Sequence, residues 1–138
     1  MKLSARNQIK GTVANVTEGA VNGIVKIAFA GEEISATISM AAIKELGLEA
    51  GKEAYAIIKA TEVMVGSGDL TLSARNKFKG VVESVEEGAV NGIVKIKVAG
   101  DNVISATISM SAIKELGLEA GKEATAVIKA TSVMVGID

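Results

Sequence analysis

Ser4-Ala5-Arg6-Asn7-Gln8 returns later in the chain as Ser73-Ala74-Arg75-Asn76-Lys77, and the residues after each copy repeat as well. Gly19-Ala20-Val21-Asn22-Gly23 is matched by Gly88-Ala89-Val90-Asn91-Gly92, and Gly47-Leu48-Glu49-Ala50-Gly51-Lys52 by Gly117-Leu118-Glu119-Ala120-Gly121-Lys122. The chain therefore reads as a tandem array of two units, residues 1–67 and 68–138, with Gly66-Ser67-Gly68-Asp69 as a short flexible joint. The pattern after each motif is extended, and alternation along a strand puts residues i and i+2 on one face. Ser4 and Arg6 point the same way, as do Ser73 and Arg75. Each pair offers a hydroxyl beside a guanidinium, a combination suited to an oxyanion.

The rest of the unit can be read from periodicity. Ile9, Gly11 and Val13 alternate with Gln8, Lys10 and Thr12, and the phase then slips at Ala14 before Val16. Such a slip near a glycine predicts a bulge or a corner. After a turn at Thr17-Glu18-Gly19, the segment 20–30 predicts a strand with Val21, Gly23, Val25, Ile27 and Phe29 facing the core. Val90, Val94, Ile96 and Val98 repeat that face. Gly31-Glu32-Glu33 closes a hairpin whose counterpart, Gly100-Asp101-Asn102-Val103, is one residue longer, a change that hairpin tips tolerate. Ile34, Ala36 and Ile38 then alternate with Ser35, Thr37 and Ser39. Met40, Ile43 and Leu46 switch to helical spacing, with Ser39 as N-cap and Gly47 just past the C-terminus. In the segment 53–61, Ala54, Ala56, Ile58 and Ala60 face inward and Glu53, Tyr55, Lys59 and Thr61 outward. Val63-Met64-Val65 ends the unit, and Met40, Met64, Met110 and Met134 read as packing residues.

Five short strands and one short helix per unit make the protein mainly β and fit an OB-like Greek-key barrel, among other small barrels. Apolar residues are 49% of the chain, but Phe29, Tyr55 and Phe78 are the sole aromatics. So small a barrel with so little aromatic mass is marginal alone, which predicts burial in an oligomer.

Composition removes several function classes. With no cysteine and no histidine there are no disulfides, no thiol or imidazole catalysis and no ordinary zinc site, so no metal is expected as a free cation. Fifteen basic residues against 16 acidic ones leave a net charge of −1, which offers nothing to a phosphate backbone. The shortage of aromatics leaves no stacking platform for single strands. Nucleic acid is thus not an expected partner. Neither is a membrane, since no apolar run reaches the ~20 residues of a spanning helix. Met1-Lys2-Leu3-Ser4 lacks the apolar stretch of a signal peptide, so a soluble cytoplasmic protein is the default expectation. A serine–lysine nucleophile would require the fold to bring Lys59 or Lys129 to Ser39 or Ser109. The glycines of the segment 19–23 fit neither a dinucleotide nor a Walker loop. The chain is not expected to be an enzyme or to carry an organic cofactor.

Ser-Ala-Arg-Asn-Gln followed by Lys10-Gly11-Thr12-Val13, with Gly-Leu-Glu-Ala-Gly-Lys and the late Lys59-Ala60, resembles the Mop, or molbindin, family of TOBE-like molybdate-binding domains. Two copies look like a di-Mop protein. The resemblance implies two OB-like barrels, a homotrimer of such chains, and molybdate or tungstate as the ligand, held for intracellular storage. A sensing module acting through a separate partner is the alternative. Carried over residue by residue, the resemblance implies oxyanion sites from Ser4, Arg6, Ser39, Lys59 and Ala60, and from Ser73, Arg75, Ser109, Lys129 and Ala130. In the family such sites straddle contacts between modules. It also implies axial oxyanion sites at Val21, Asn22, Val90 and Asn91, although Gly23-Ile24 and Gly92-Ile93 depart from the usual small residue and glutamate there. The chemistry agrees. A tetrahedral dianion accepts hydrogen bonds only, and hydrogen bonds to a charged group contribute about 1.5–3 kcal/mol each. Four or five of them suffice for micromolar affinity after the ordering costs.

Overall fold

A computed structural model describes all 138 residues and contains two five-stranded antiparallel sheets and two short helices. In the first repeat these are β1 (Asn7–Thr17), β2 (Asn22–Phe29), β3 (Glu32–Ser39), α1 (Met40–Leu46), β4 (Glu53–Ile58) and β5 (Met64–Gly66). The second repeat supplies β6 (Asn76–Glu86), β7 (Asn91–Lys97), β8 (Val103–Ser109), α2 (Met110–Leu116), β9 (Glu123–Ile128) and β10 (Met134–Gly136). The expected bulge is present: the β1–β2 register shifts between Val13 and Asn15, and the β6–β7 register between Val82 and Ser84. Gly11 makes the corner passable, because a Cβ there would lie 2.3 Å from the Ala28 carbonyl oxygen. The helix ends are also as expected. Ser39 Oγ accepts from the Ala42 amide at 3.0 Å, and Gly47 closes the helix at φ 60° in the left-handed region.

The repeats trade their last strands. The sheet orders are β10-β4-β1-β2-β3 and β5-β9-β6-β7-β8. Met134, Val135 and Gly136 of the second repeat pair with Ile57, Ala56 and Tyr55, while Met64, Val65 and Gly66 pair with Val127, Ala126 and Thr125. Each sheet curls until its edge strands approach, β3 near β10 and β8 near β5. The units expected at 1–67 and 68–138 thus each lend a strand to the other barrel. The exchange explains a burial that alternation misses: Ile57, on the outward side of β4, is 4% exposed because β10 pairs alongside it.

One apolar core runs through both repeats, from Val25, Ile27, Ile34 and Ile58 to Val94, Ile96, Ile104 and Ile128. Phe29 and Phe78 meet in it edge to face, with ring centroids 5.5 Å apart. Two expectations about apolar residues fail. Val21 and Val90 are 75% and 74% exposed, since they precede the first ladder pair of β2 and β7 and nothing in the chain covers them. Met64 and Met134 are likewise exposed rather than packed, each at the lip of a surface cavity between the repeats.

Candidate functional site

Where the strands cross between repeats, two related cavities open to solvent. The first, about 420 Å³, is lined by Ser4 and Arg6 at the head of β1, Lys59, Ala60 and Thr61 after β4, Thr107 of β8, and Leu3 and Met134. The second, about 400 Å³, is lined by Ser73, Arg75, Lys129, Ala130 and Thr131, with Thr37 of β3, Leu72 and Met64. Arg6 and Lys59 converge for a structural reason. Asn7, the residue after Arg6, pairs in the ladder with Ile58, the residue before Lys59. Asn76 and Ile128 do the same for Arg75 and Lys129.

Neither cavity has an aspartate or glutamate among its lining residues. None of Arg6, Lys59, Arg75 and Lys129 lies within salt-bridge distance of a carboxylate; the ion pairs of the chain are Met1–Asp138, Lys10–Glu53 and Lys97–Asp101. A third cavity, about 370 Å³ near the joint, differs in sign, with Asp69 and Glu123 beside Lys79. Two cations, hydroxyls and backbone amides without a competing acceptor charge favour a small anion.

The structure assembles eight of the expected positions into these two cavities: Ser4, Arg6, Lys59 and Ala60 in one, Ser73, Arg75, Lys129 and Ala130 in the other. Ser39 and Ser109 do not line them. Each instead caps its helix, the hydroxyl accepting from the Ala42 or Ala112 amide, two residues beyond Thr37 or Thr107 along β3 or β8. Asn22 and Asn91 are exposed and pair in the ladders with Ser39 and Ser109, outside both cavities. Val21 and Val90 adjoin them, their carbonyls accepting from the Met40 and Met110 amides at 2.8 Å. Thr37 and Thr107 were missed by the motif reading. Their signal is the hydroxyl ladder Ser35, Thr37, Ser39 on the non-core side of β3, repeated in β8.

A TOBE-domain family model matches residues 3–65 and again 72–135. The chain belongs to the TOBE-domain family. It is 59% identical, over half of its length, to the whole of a probable molybdenum-pterin-binding protein of Haemophilus influenzae. Over 99% of its length it is 40% identical to the molybdenum transport protein ModE of Herbaspirillum seropedicae, of which it spans 52%, and 36% identical to the molybdenum-pterin-binding protein MopA of Rhodobacter capsulatus, of which it spans 53%. The TOBE pair thus corresponds to about half the length of those two relatives. A crystal structure of the cytoplasmic molybdate-binding protein ModG with molybdate bound is 41% identical and superimposes with a TM-score of 0.97, each chain covering the other completely. The overall two-repeat fold is therefore that of an experimentally determined structure.

Proposed function

We propose that this chain binds molybdate, or tungstate, and serves as a cytoplasmic store of the oxyanion without catalysing a reaction. The observation that carries the reading is the pair of cavities in which an arginine, a lysine and several hydroxyls face solvent with no carboxylate to neutralise them. Likeness to ModG and to the molybdenum-pterin-binding proteins supports the choice of anion. Ser4, Arg6, Lys59 and the Ala60 backbone hold one anion, with hydroxyls of β8 closing over it. Ser73, Arg75, Lys129 and Ala130 hold the other with hydroxyls of β3. Ser39 and Ser109 then act across the repeats, each serving the cavity of the other repeat's motif.

A homotrimer fits the surface. Leu3 and Leu72 are each 50% exposed, Val21 and Val90 still more so, and a partner chain would cover them. In that assembly Val21, Asn22, Val90 and Asn91 would provide the axial anion contacts. No organic cofactor is required. The test is calorimetric titration of molybdate in excess sulfate. Arg6→Ala combined with Arg75→Ala should lower the affinity of each cavity about tenfold to a hundredfold, because each loses the charge-assisted contact of its one arginine. Full stoichiometry in a folded double variant refutes the assignment.

The likeness to ModE over 99% of this chain favours a second reading, a sensing module whose output passes to a separate protein. Molybdate-dependent association with a partner would support it, and anion exchange unaffected by any partner would support storage.

A further inference from the structure

We infer that Asn7 and Asn76 are positioning residues for the two cavities, each holding the strand of the opposite repeat that brings a threonine over the arginine. The inference rests on the proposed anion binding. Asn7 is 1% exposed, and its side chain reaches 98 residues along the chain: Nδ2 donates to the Ser105 carbonyl at 2.9 Å while Oδ1 accepts from the Ser105 amide at 2.8 Å. Asn76 makes the same pair of bonds with Ser35, at 2.9 and 2.8 Å. An asparagine amide carries donor and acceptor side by side, as a peptide group does, so it extends a strand edge as one more ladder residue would. Aspartate offers acceptors alone, glutamine is a methylene too long, and leucine would leave two buried backbone groups of Ser105 unpaired.

The place of this clamp matters more than its strength. Asn7 follows Arg6 in the chain, faces Ile58 in the ladder and so adjoins Lys59, and is tied to Ser105, two residues from Thr107 on the same face. All three walls of the first cavity meet at one side chain. Asn76 stands in the same relation to Arg75, Lys129 and Thr37. Each asparagine therefore serves one cavity, the one that begins with its own motif.

This selectivity separates positioning from general stability. Molybdate affinity is measured by calorimetry in two parents, Arg75→Ala, which keeps the first cavity, and Arg6→Ala, which keeps the second. Adding Asn7→Ala should weaken binding about tenfold or more in the first parent and less than about twofold in the second, and Asn76→Ala should do the reverse. Equal losses in both parents, or none in either, overturn the inference. Should Asn7→Ala fail to fold, Asn7→Asp keeps the shape. Its buried carboxylate faces the Ser105 carbonyl, burial raises its pKa, and protonation returns the missing donor. Affinity in the Arg75→Ala parent should then recover as the pH falls from about 8 to about 6; a flat profile in folded protein overturns the inference. If neither parent binds molybdate at all, the proposed anion binding itself falls and takes this inference with it, a result distinct from equal losses.

Discussion

The two cavities share a motif but are tied down differently at the one motif position where the repeats diverge. Gln8 donates through Nε2 to the carbonyls of Leu3 and Ala5, both at 2.9 Å, and so staples the turn that carries Ser4. Lys77, in the same place in the second repeat, reaches a single carbonyl, Leu72, at 3.2 Å. The first cavity gains a better-held serine, whereas Lys77 sets a further positive charge on the carbonyl of Leu72, outside the lining of the second cavity but next to it. Behind the cavities the inequality reverses. The second repeat places Phe78 where the first has Ile9, and the first places Phe29 where the second has Val98. One interface between the repeats therefore holds a T-shaped aromatic pair, and the related positions hold an isoleucine and a valine. Near-identical repeats have thus become unequal through single side chains at the places where they touch.

The largest way to break this comparison lies in the core. Phe78→Ala should cost about 3–5 kcal/mol in denaturant unfolding, exceeding Ile9→Ala by about 1 kcal/mol, the increment an aromatic pair adds beyond area burial. If Ile9→Ala costs as much, the two interfaces are energetically alike and the asymmetry is cosmetic. A smaller effect concerns charge. In the Arg6→Ala parent, Lys77→Gln should weaken molybdate binding about two- to fivefold at low ionic strength, and the difference should shrink at about 0.5 M salt as screening sets in. A salt-independent difference would make Lys77 a strut for Ser73 and nothing more.

The smallest effect sharpens the comparison at the outer ends of the barrels. Asp138 sits between the Met1 ammonium, 2.9 Å away, and the Tyr55 hydroxyl at 3.0 Å, which together hold its carboxyl below the usual carboxylate range. The folded pKa is depressed, so this contribution to stability is present above the unfolded-state value and is lost as pH falls through the folded one. Asp138→Asn should melt slightly below the parent at pH 7 and converge with it in acid. Tyr55→Phe should remove part of the same difference. In the second repeat Thr125 stands in place of Tyr55, so Thr125→Val should leave the pH profile unchanged.

Much of the fold was legible because it is written over short distances. Ser39 and Gly47 mark the ends of α1 through bonds to residues three or four positions away, and the slip at Ala14 announced the bulge. Ser4 with Arg6, and Lys59 with Ala60, were legible as an anion-binding set through alternation and motif. Val21 illustrates the limit: it continues the apolar phase of β2, but the core ends before it. Ser35 and Ser105, buried at 8% despite lying on the polar face, show the converse, since each is covered by an asparagine from the other repeat.

Local pattern in the sequence alone determined the strands, the helix caps, the repeat and the chemical type of the site, because each depends on neighbours a few positions apart. Tertiary structure alone decided which copy completes which. With near-identical repeats, the edge of β4 accepts β5 or β10 equally well by pattern, and nothing local says that Asn7 belongs to Ser105 rather than Ser35. Chain geometry breaks the tie. Residues 59–63 carry the chain from β4 in the first sheet to β5 in the second, and residues 129–133 carry it back from β9 to β10, so both barrels and both cavities are completed only when the two halves are folded together.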